Sequence, residues 1–202
     1  MKRLISLLLV LVVSLSLAAC GMNSFSNDPD AIDAASKSVV EITVYDKGNT
    51  AIAGGSGFFA FDSKTIITNY HVIENAYRIE IVDDDDNTVE VSLIYNVNKD
   101  KDIAILQIAE EGRYSPLKIS ASEELKKGES VVAIGSPLGL KNTVSKGTIS
   151  NFVEQDGIEM IQFTAAISHG SSGGALLNDS GEVIGITSGS YVDGQNLNLA
   201  IP

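Results

Sequence analysis

The feature that most constrains the fold is a succession of short β-patterned runs split by turn residues, with no long helical pattern anywhere in the 202 residues. The first set is Val39–Tyr45, Gly57–Phe61, Thr65–Thr68, Arg78–Val82, Val89–Tyr95 and Ile103–Ile108. The second is Ser130–Ile134, Thr143–Ile149, Glu159–Phe163, Gly174–Leu177 and Val183–Thr187. Within them apolar and β-branched residues alternate or cluster, as strands with one or both faces buried require. Runs this short suit an all-β barrel or sandwich, and the chain is long enough to bury two small barrels. The polar stretch Glu110–Pro116 separates the sets, so the halves are expected at about 38–110 and 117–202. One short helical turn is expected over Ala31–Ser38.

The first residues are read apart from this pattern. Lys2 and Arg3 precede an apolar run from Leu4 to Ala19, shorter than the ~20 apolar residues that span a bilayer and laid out as a secretory signal. It ends in Leu17-Ala18-Ala19-Cys20-Gly21, which resembles the lipobox of bacterial lipoprotein signals. That resemblance implies a signal peptide over 1–19, removed to leave Cys20 as a lipidated N-terminus. It places the globular part on the outer side of a bacterial cell membrane, where a two-chain lipid holds it stably. Residues 20–33, rich in Ser, Asn, Asp and Gly at their start, read as that lipidated end and a flexible tether.

Charge and cysteine usage exclude several roles. Cys20 is the only cysteine, so the globular part contains no disulfide and depends on packing. Removing residues 1–19 leaves 12 basic against 26 acidic side chains, a net charge of −14, which repels nucleic-acid phosphates. The acidic run Asp83–Asp86 with Asn87 lies between two alternating runs. It lacks the ligand spacing of a dedicated Ca²⁺ site and reads as a solvated hairpin turn, so no metal or other cofactor is called for.

Three residues carry chemistry. His71 follows the run Thr65–Thr68 and is one of only two histidines; Asp102 directly precedes Ile103–Ile108; Ser172 sits in Gly170-Ser-Ser-Gly-Gly174. An imidazole, a carboxylate and a hydroxyl in this order can activate a serine to attack an amide. Asp102 is preferred over Asp100 because it adjoins an apolar run, where a carboxylate needs a partner such as an imidazole N–H. The glycines let the backbone turn tightly enough for the amides of Gly170 and Ser172 to face one developing oxyanion.

These motifs resemble the trypsin-like serine endopeptidases of the HtrA (Deg) family. The likeness runs from Ser38 to Pro202 and includes Gly55-Ser-Gly57, Thr68-Asn-Tyr-His-Val-Ile73, Asp102-Ile-Ala-Ile-Leu106, Ala133-Ile-Gly-Ser-Pro-Leu-Gly-Leu140, Ser172-Gly-Gly-Ala-Leu176 and Gly181-Glu-Val-Ile-Gly-Ile186. It implies a protease domain over 34–202 built of two six-stranded antiparallel barrels, with the active site in the cleft between them. His71 and Asp102 then come from the first barrel and Ser172 from the second, with an oxyanion hole at Gly170 and Ser172. It also implies an uncharged primary specificity pocket at Ile167, and a substrate strand paired along Thr187, Ser188 and Gly189. Protein or peptide substrates, cleavage after small or medium aliphatic residues, and a homo-oligomer belong to the same expectation.

The likeness has departures. Where the family usually has Asn-Pro-Gly-Asn before the nucleophile, this chain has Ser168-His169-Gly170-Ser171, which removes the fixed φ of a proline and leads to a less rigid loop. Thr164 stands at a common aspartate position, and no PDZ sequence follows Pro202, as in a minimal protease or a fragment. The altered loop leaves a second reading open: a catalytically weak or inactive lipoprotein that binds extended peptides.

Overall fold

The computed structural model describes residues 24–110, 113–121, 124–136, 140–155, 157–190 and 196–202. Cys20 and the proposed signal peptide lie outside the described residues. The chain forms two closed antiparallel barrels of six strands each. Barrel one contains β1 (Val39–Tyr45), β2 (Ala51–Phe59), β3 (Thr65–Thr68), β4 (Arg78–Val82), β5 (Thr88–Asn98) and β6 (Ile103–Ile108), closing in the order β1-β2-β3-β6-β5-β4. Barrel two contains β7 (Ser130–Gly135), β8 (Thr143–Gln155), β9 (Ile158–Phe163), β10 (Ala175–Leu177), β11 (Val183–Ser190) and β12 (Asn198–Ile201), closing in the order β10-β11-β12-β9-β8-β7. Among the described residues a 3-10 turn (Phe25–Asn27) and two short α-helices, α1 (Pro29–Ser36) and α2 (Tyr70–Ile73), accompany them.

Two classes of strand follow from the side-chain period of two. In β6 only alternate residues are buried: Ala104, Leu106 and Ile108 fill barrel one. In β2 consecutive residues divide between two cores, Phe59 pointing into barrel one and Phe58 into the seam between the barrels. β7 and β10 do the same from the other side, with Val131 and Leu176 inside barrel two and Val132 and Leu177 in the seam. Strands apolar on both faces thus glue the barrels together, and the loops that leave them line the intervening cleft.

Several boundaries differ from the sequence pattern. β2 begins at Ala51 and stops before Phe61, which has φ 69° and a mostly exposed ring. β5 and β8 run on to Asn98 and Gln155 through largely solvated residues that a burial pattern does not mark. β12 is read from the sequence as no strand at all. It is a four-residue, fully buried strand that closes barrel two between β11 and β9. The tether reading of 20–33 is corrected for its described part. The Phe25 and Ser26 N–H groups donate to the Asp179 carbonyl and carboxylate of barrel two, and Ile32 of α1 is buried in the seam. Asp28 caps α1 by accepting from the Ala31 N–H, and Pro29 supplies its first residue, so the polar composition here encodes a helix start.

The acidic run forms the β4–β5 turn, but Asp83 is only 4% exposed rather than solvated. Its carboxylate accepts from the Asn87 backbone and side chain and from the Tyr114 hydroxyl (3.0 Å), and pairs with Arg113 at 3.1 Å. Burial alone would raise its pKa, but the Asn87 and Tyr114 hydrogen bonds and the Arg113 charge hold it below the usual carboxylate range. Burial, with the hydrogen bond to Asp83, pushes the Tyr114 hydroxyl up to about 12, and its ring stacks on Phe59 at 4.1 Å. The inter-barrel segment is thereby pinned to barrel one. A carboxylate with a depressed folded pKa adds stability that is present above its unfolded value, ~3.9, and lost as pH falls through the folded one. Asp83→Asn is expected to cost about 2 kcal/mol at pH 7 and to flatten the acid limb of urea denaturation below about pH 4. An acid limb as steep as that of the unsubstituted chain would refute this account.

Candidate active site

His71 and Asp102 are brought together by strand pairing. Thr68 at the end of β3 lies opposite Ala104 near the start of β6, so the residues just beyond one and just before the other are neighbours. Val72 and Ile73 bury one side of α2, leaving the His71 imidazole 46% exposed. Asp102, at φ 54°, ends the β5–β6 turn in the left-handed region that aspartate tolerates. Its Oδ2 lies 2.6 Å from His71 Nδ1, and its Oδ1 accepts from the His71 backbone N–H at 2.8 Å. The Asp102 carbonyl accepts from the Tyr70 N–H and from Asn69 Nδ2 at 3.1 and 3.0 Å. An ionised carboxylate only accepts, so Nδ1 carries a proton and Nε2 is left facing outward. Asp100 makes no such contact.

The loop preceding β10 is a tight double turn. The Ser171 N–H donates to the Ser168 carbonyl at 2.9 Å with Gly170 at φ 91°, the hydrogen bond and the positive φ that define a type II turn. The Ser168 N–H donates back to Ser171 Oγ at 3.2 Å. The Ser171 carbonyl accepts from the Gly174 N–H at 3.0 Å and from Thr187 Oγ1 at 2.5 Å. Among the described residues the N–H groups of Gly170 and Ser172 have no partner, which leaves two free donors on either side of one short loop. The proline expected before the glycine is replaced by an exposed His169, yet these bonds hold the loop. Thr164 contributes at its base, accepting from the Thr148 N–H at 2.9 Å.

Barrel one reaches this loop through β2. The Ser56 N–H donates to the Ser172 carbonyl at 2.7 Å, and the Ser56 carbonyl accepts from Thr68 Oγ1 at 2.7 Å. The approach is so close that a Cβ on Gly173 would lie 2.0 Å from the Ser56 carbonyl oxygen. Ser172 therefore sits across the cleft from α2. Its hydroxyl does not reach His71 here but donates to the Ser188 carbonyl at 2.7 Å.

Beside the loop lies a cavity of about 320 Å³, lined by Ala133, Val144, Ile167, Ser168 and Thr187 among others, with no charged side chain. Thr187 is 1% exposed, and its backbone is committed to the loop: its N–H donates to Gly174 and its carbonyl accepts from Gly173. Of the other two positions expected to pair with a substrate strand, Ser188 offers its carbonyl to the Ser172 hydroxyl and Gly189 lies opposite Leu199 of β12. Sequence reasoning passed over Ser56 and Thr68 as site residues, and expected Ser188 only as part of a substrate strand, not as the acceptor of the Ser172 hydroxyl. The available signal for the first was a serine flanked by glycines within a strand.

The profile of the family described as trypsin-like peptidase domain matches residues 55–186. The chain is 35% identical over 186 residues to serine protease HTRA1 of Xenopus laevis, an alignment spanning 86% of this chain and 40% of that protein. It is 36% identical over 156 residues to the putative serine protease HhoB of Synechocystis, spanning 73% of this chain and 37% of the relative. Over 172 residues it is 37% identical to anti-sigma-I factor RsgI9 of Acetivibrio thermocellus, spanning 85% of this chain and 24% of that one. The serine endoprotease of Yersinia pestis superposes with a TM-score of 0.75 at 31% identity, over 85% of this chain and 60% of that chain. The chain belongs to the trypsin-like peptidase domain family, with HtrA serine proteases among its homologues. It spans between about a quarter and two fifths of the length of these curated relatives.

Proposed function

We propose that this chain is a serine endopeptidase that cleaves exposed or misfolded polypeptide through Ser172, His71 and Asp102. The observation that carries the reading is the 2.6 Å contact between His71 Nδ1 and Asp102 Oδ2, set opposite a loop whose Gly170 and Ser172 N–H groups are unpaired. Ser172 Oγ forms the bond to the substrate carbonyl carbon while His71 Nε2 takes its proton, and Asp102 stabilises the imidazolium. The two free N–H groups receive the negative charge on the carbonyl oxygen. Collapse breaks the C–N bond as His71 returns the proton to the leaving amine. Water then releases the acyl group by the same base.

In the resting arrangement Ser172 Oγ is held by Ser188. A substrate strand added at Ser188 and Gly189 brings a backbone N–H that competes for the Ser188 carbonyl, and the displaced hydroxyl turns to His71. The same hydrogen bond favours the second reading, a protease-like lipoprotein that binds peptide without cutting it. A fluorophosphonate probe reacts only with an activated serine and so separates the two. The unsubstituted chain is expected to label, with no labelling of Ser172→Ala or His71→Ala. Peptide turnover should fall ~10⁶-fold in Ser172→Ala and ~10⁴-fold in Asp102→Asn, whose amide can hold His71 in the wrong tautomer. Absence of labelling in the unsubstituted chain would sink the endopeptidase reading.

Two narrower expectations accompany it. The uncharged cavity at Ile167 supports cleavage after Val, Ala or similar residues. A digest of a peptide library cut mainly after Lys, Arg or Glu would rule that out. Lipid on Cys20 would anchor the domain on the outer face of the bacterial membrane. Cys20→Ser is then expected to move the protein from the membrane fraction to the soluble one, and an unchanged distribution contradicts the anchor.

A further inference from the structure

Ser56 is a fully buried residue, 0% exposed, on a strand whose neighbours are glycines and aromatics, and no step above uses its hydroxyl. A strand that only had to close barrel one would carry an apolar or small residue here, because a buried hydroxyl without partners is costly. The partners it does have both belong to barrel two. Ser56 Oγ donates to the Gly170 carbonyl at 2.6 Å and accepts from the Ser136 N–H at 2.8 Å, across sequence separations of 114 and 80 residues. With its N–H on the Ser172 carbonyl and its carbonyl on Thr68 Oγ1, every polar atom of the residue is engaged.

The two unpaired amides of the loop are not held equally. The Ser172 N–H shares a peptide with the Ser171 carbonyl, which Thr187 Oγ1 and the Gly174 N–H fix from within barrel two. The Gly170 N–H shares a peptide with the His169 carbonyl, which has no partner among the described residues. Its direction depends on the rotations of a glycine, the residue with the widest range to relax into. His169 cannot restrict that range as a proline would. Among the described residues, the hydrogen bond from outside the loop that constrains Gly170 is the one from Ser56.

We propose that Ser56 is a positioning residue: its hydroxyl clamps the Gly170–Ser171 peptide plane from barrel one, so that the Gly170 N–H converges with that of Ser172 on one oxyanion. The proposal rests on the endopeptidase reading. It makes barrel contact a condition for oxyanion stabilisation, since the same hydroxyl also binds Ser136 at the end of β7.

The test compares kcat and KM for an extended fluorogenic peptide in the unsubstituted chain and in Ser56→Ala, each corrected to its folded fraction at the assay temperature. An oxyanion contact forms in the transition state rather than the ground state, so kcat is expected to fall by about 100-fold with KM within about 3-fold. A peptide boronate should weaken in parallel, while a non-covalent peptide binds as before. A hydroxyl that merely stabilises the fold would leave kcat per folded molecule within about 3-fold, and that result overturns the proposal. Should Ser56→Ala not fold, Ser56→Cys fills a similar volume with a much weaker donor and must show the same pattern. Fluorophosphonate labelling of the unsubstituted chain reports separately on the endopeptidase reading. If labelling fails, the Gly170 amide resonance decides: a shifted or broadened signal in a Ser56 variant supports the clamp, and an unmoved one overturns it.

Discussion

The arrangement depends on a close backbone approach between β2 of one barrel and the loop before β10 of the other. A closed barrel has no free sheet edge to offer a neighbour, so the two units could meet through side chains alone. Here the Ser56 N–H bonds the Ser172 carbonyl, and Gly55 and Gly173 allow it. A Cβ at Gly55 would lie 2.9 Å from the Ser172 carbonyl oxygen and 2.7 Å from Val72, which is anchored beside His71. The same square of contacts therefore sets the separation of the His71 helix and the Ser172 loop. A side chain at either glycine would push apart the groups that must meet, whatever its chemistry.

A second tie between the barrels comes from the acidic run. Asp84 accepts from Asn142 Nδ2 at 2.7 Å, and Asp86 pairs with Lys141, so the β4–β5 turn of barrel one grips the residues entering β8 of barrel two. The Asn142 N–H in turn donates to Ser136 Oγ at 3.4 Å, and the Ser136 N–H donates to Ser56. Exposed ion pairs of this kind contribute little individually and are screened by salt. The buried Ser56 bonds are not screened in this way, so the seam keeps its geometry where the outer clasp weakens. The carboxylates that composition alone assigns to solvent thus divide, Asp83 into the fold and its neighbours into inter-barrel contacts.

Legibility in the sequence followed the kind of information each residue carries. β1, β3, β4 and β6 agree with the sequence pattern at both ends: turn residues set their limits, alternation marks β1, β4 and β6, and the β-branched run Thr65-Ile-Ile-Thr68 marks β3, which is buried throughout. β12 did not, because Asn198-Leu-Ala-Ile201 is as short and as buried as β3 but has a single β-branched residue to mark it as a strand. His71, Asp102 and Ser172 could be singled out as candidates because imidazole, carboxylate and hydroxyl announce their chemistry by type; the structure brings the first two into contact and leaves the Ser172 hydroxyl on the Ser188 carbonyl. Ser56 and Thr68 bond through their hydroxyls to groups distant in sequence, and although glycines flank Ser56 within its strand, nothing local says that its partners lie 80 and 114 residues away. The part of the tether reading that the structure describes, up to residue 33, rests on composition, yet Asp28 there caps a helix that starts at Pro29, ahead of the helical turn expected from Ala31, and Ser26 meets Asp179.

The division of labour along β11 shows how one irregularity separates the groups that hold the Ser172 loop from the one that holds its hydroxyl. Its pairing with β12 is broken between Thr187 and Gly189, and a bulge of this type re-aims the residue it inserts. Thr187, before the break, turns its backbone and hydroxyl toward the Ser172 loop and is buried with every polar group engaged. Ser188, at the break, presents its carbonyl to the cleft, where the Ser172 hydroxyl occupies it. Without the bulge the strand's period of two would carry on unbroken, and the acceptor that holds the hydroxyl would be paired within the barrel. The group that holds the Ser172 hydroxyl and the groups that hold the Ser172 loop are therefore successive residues of one strand, and any change of partner at Ser188 bears directly on Ser172.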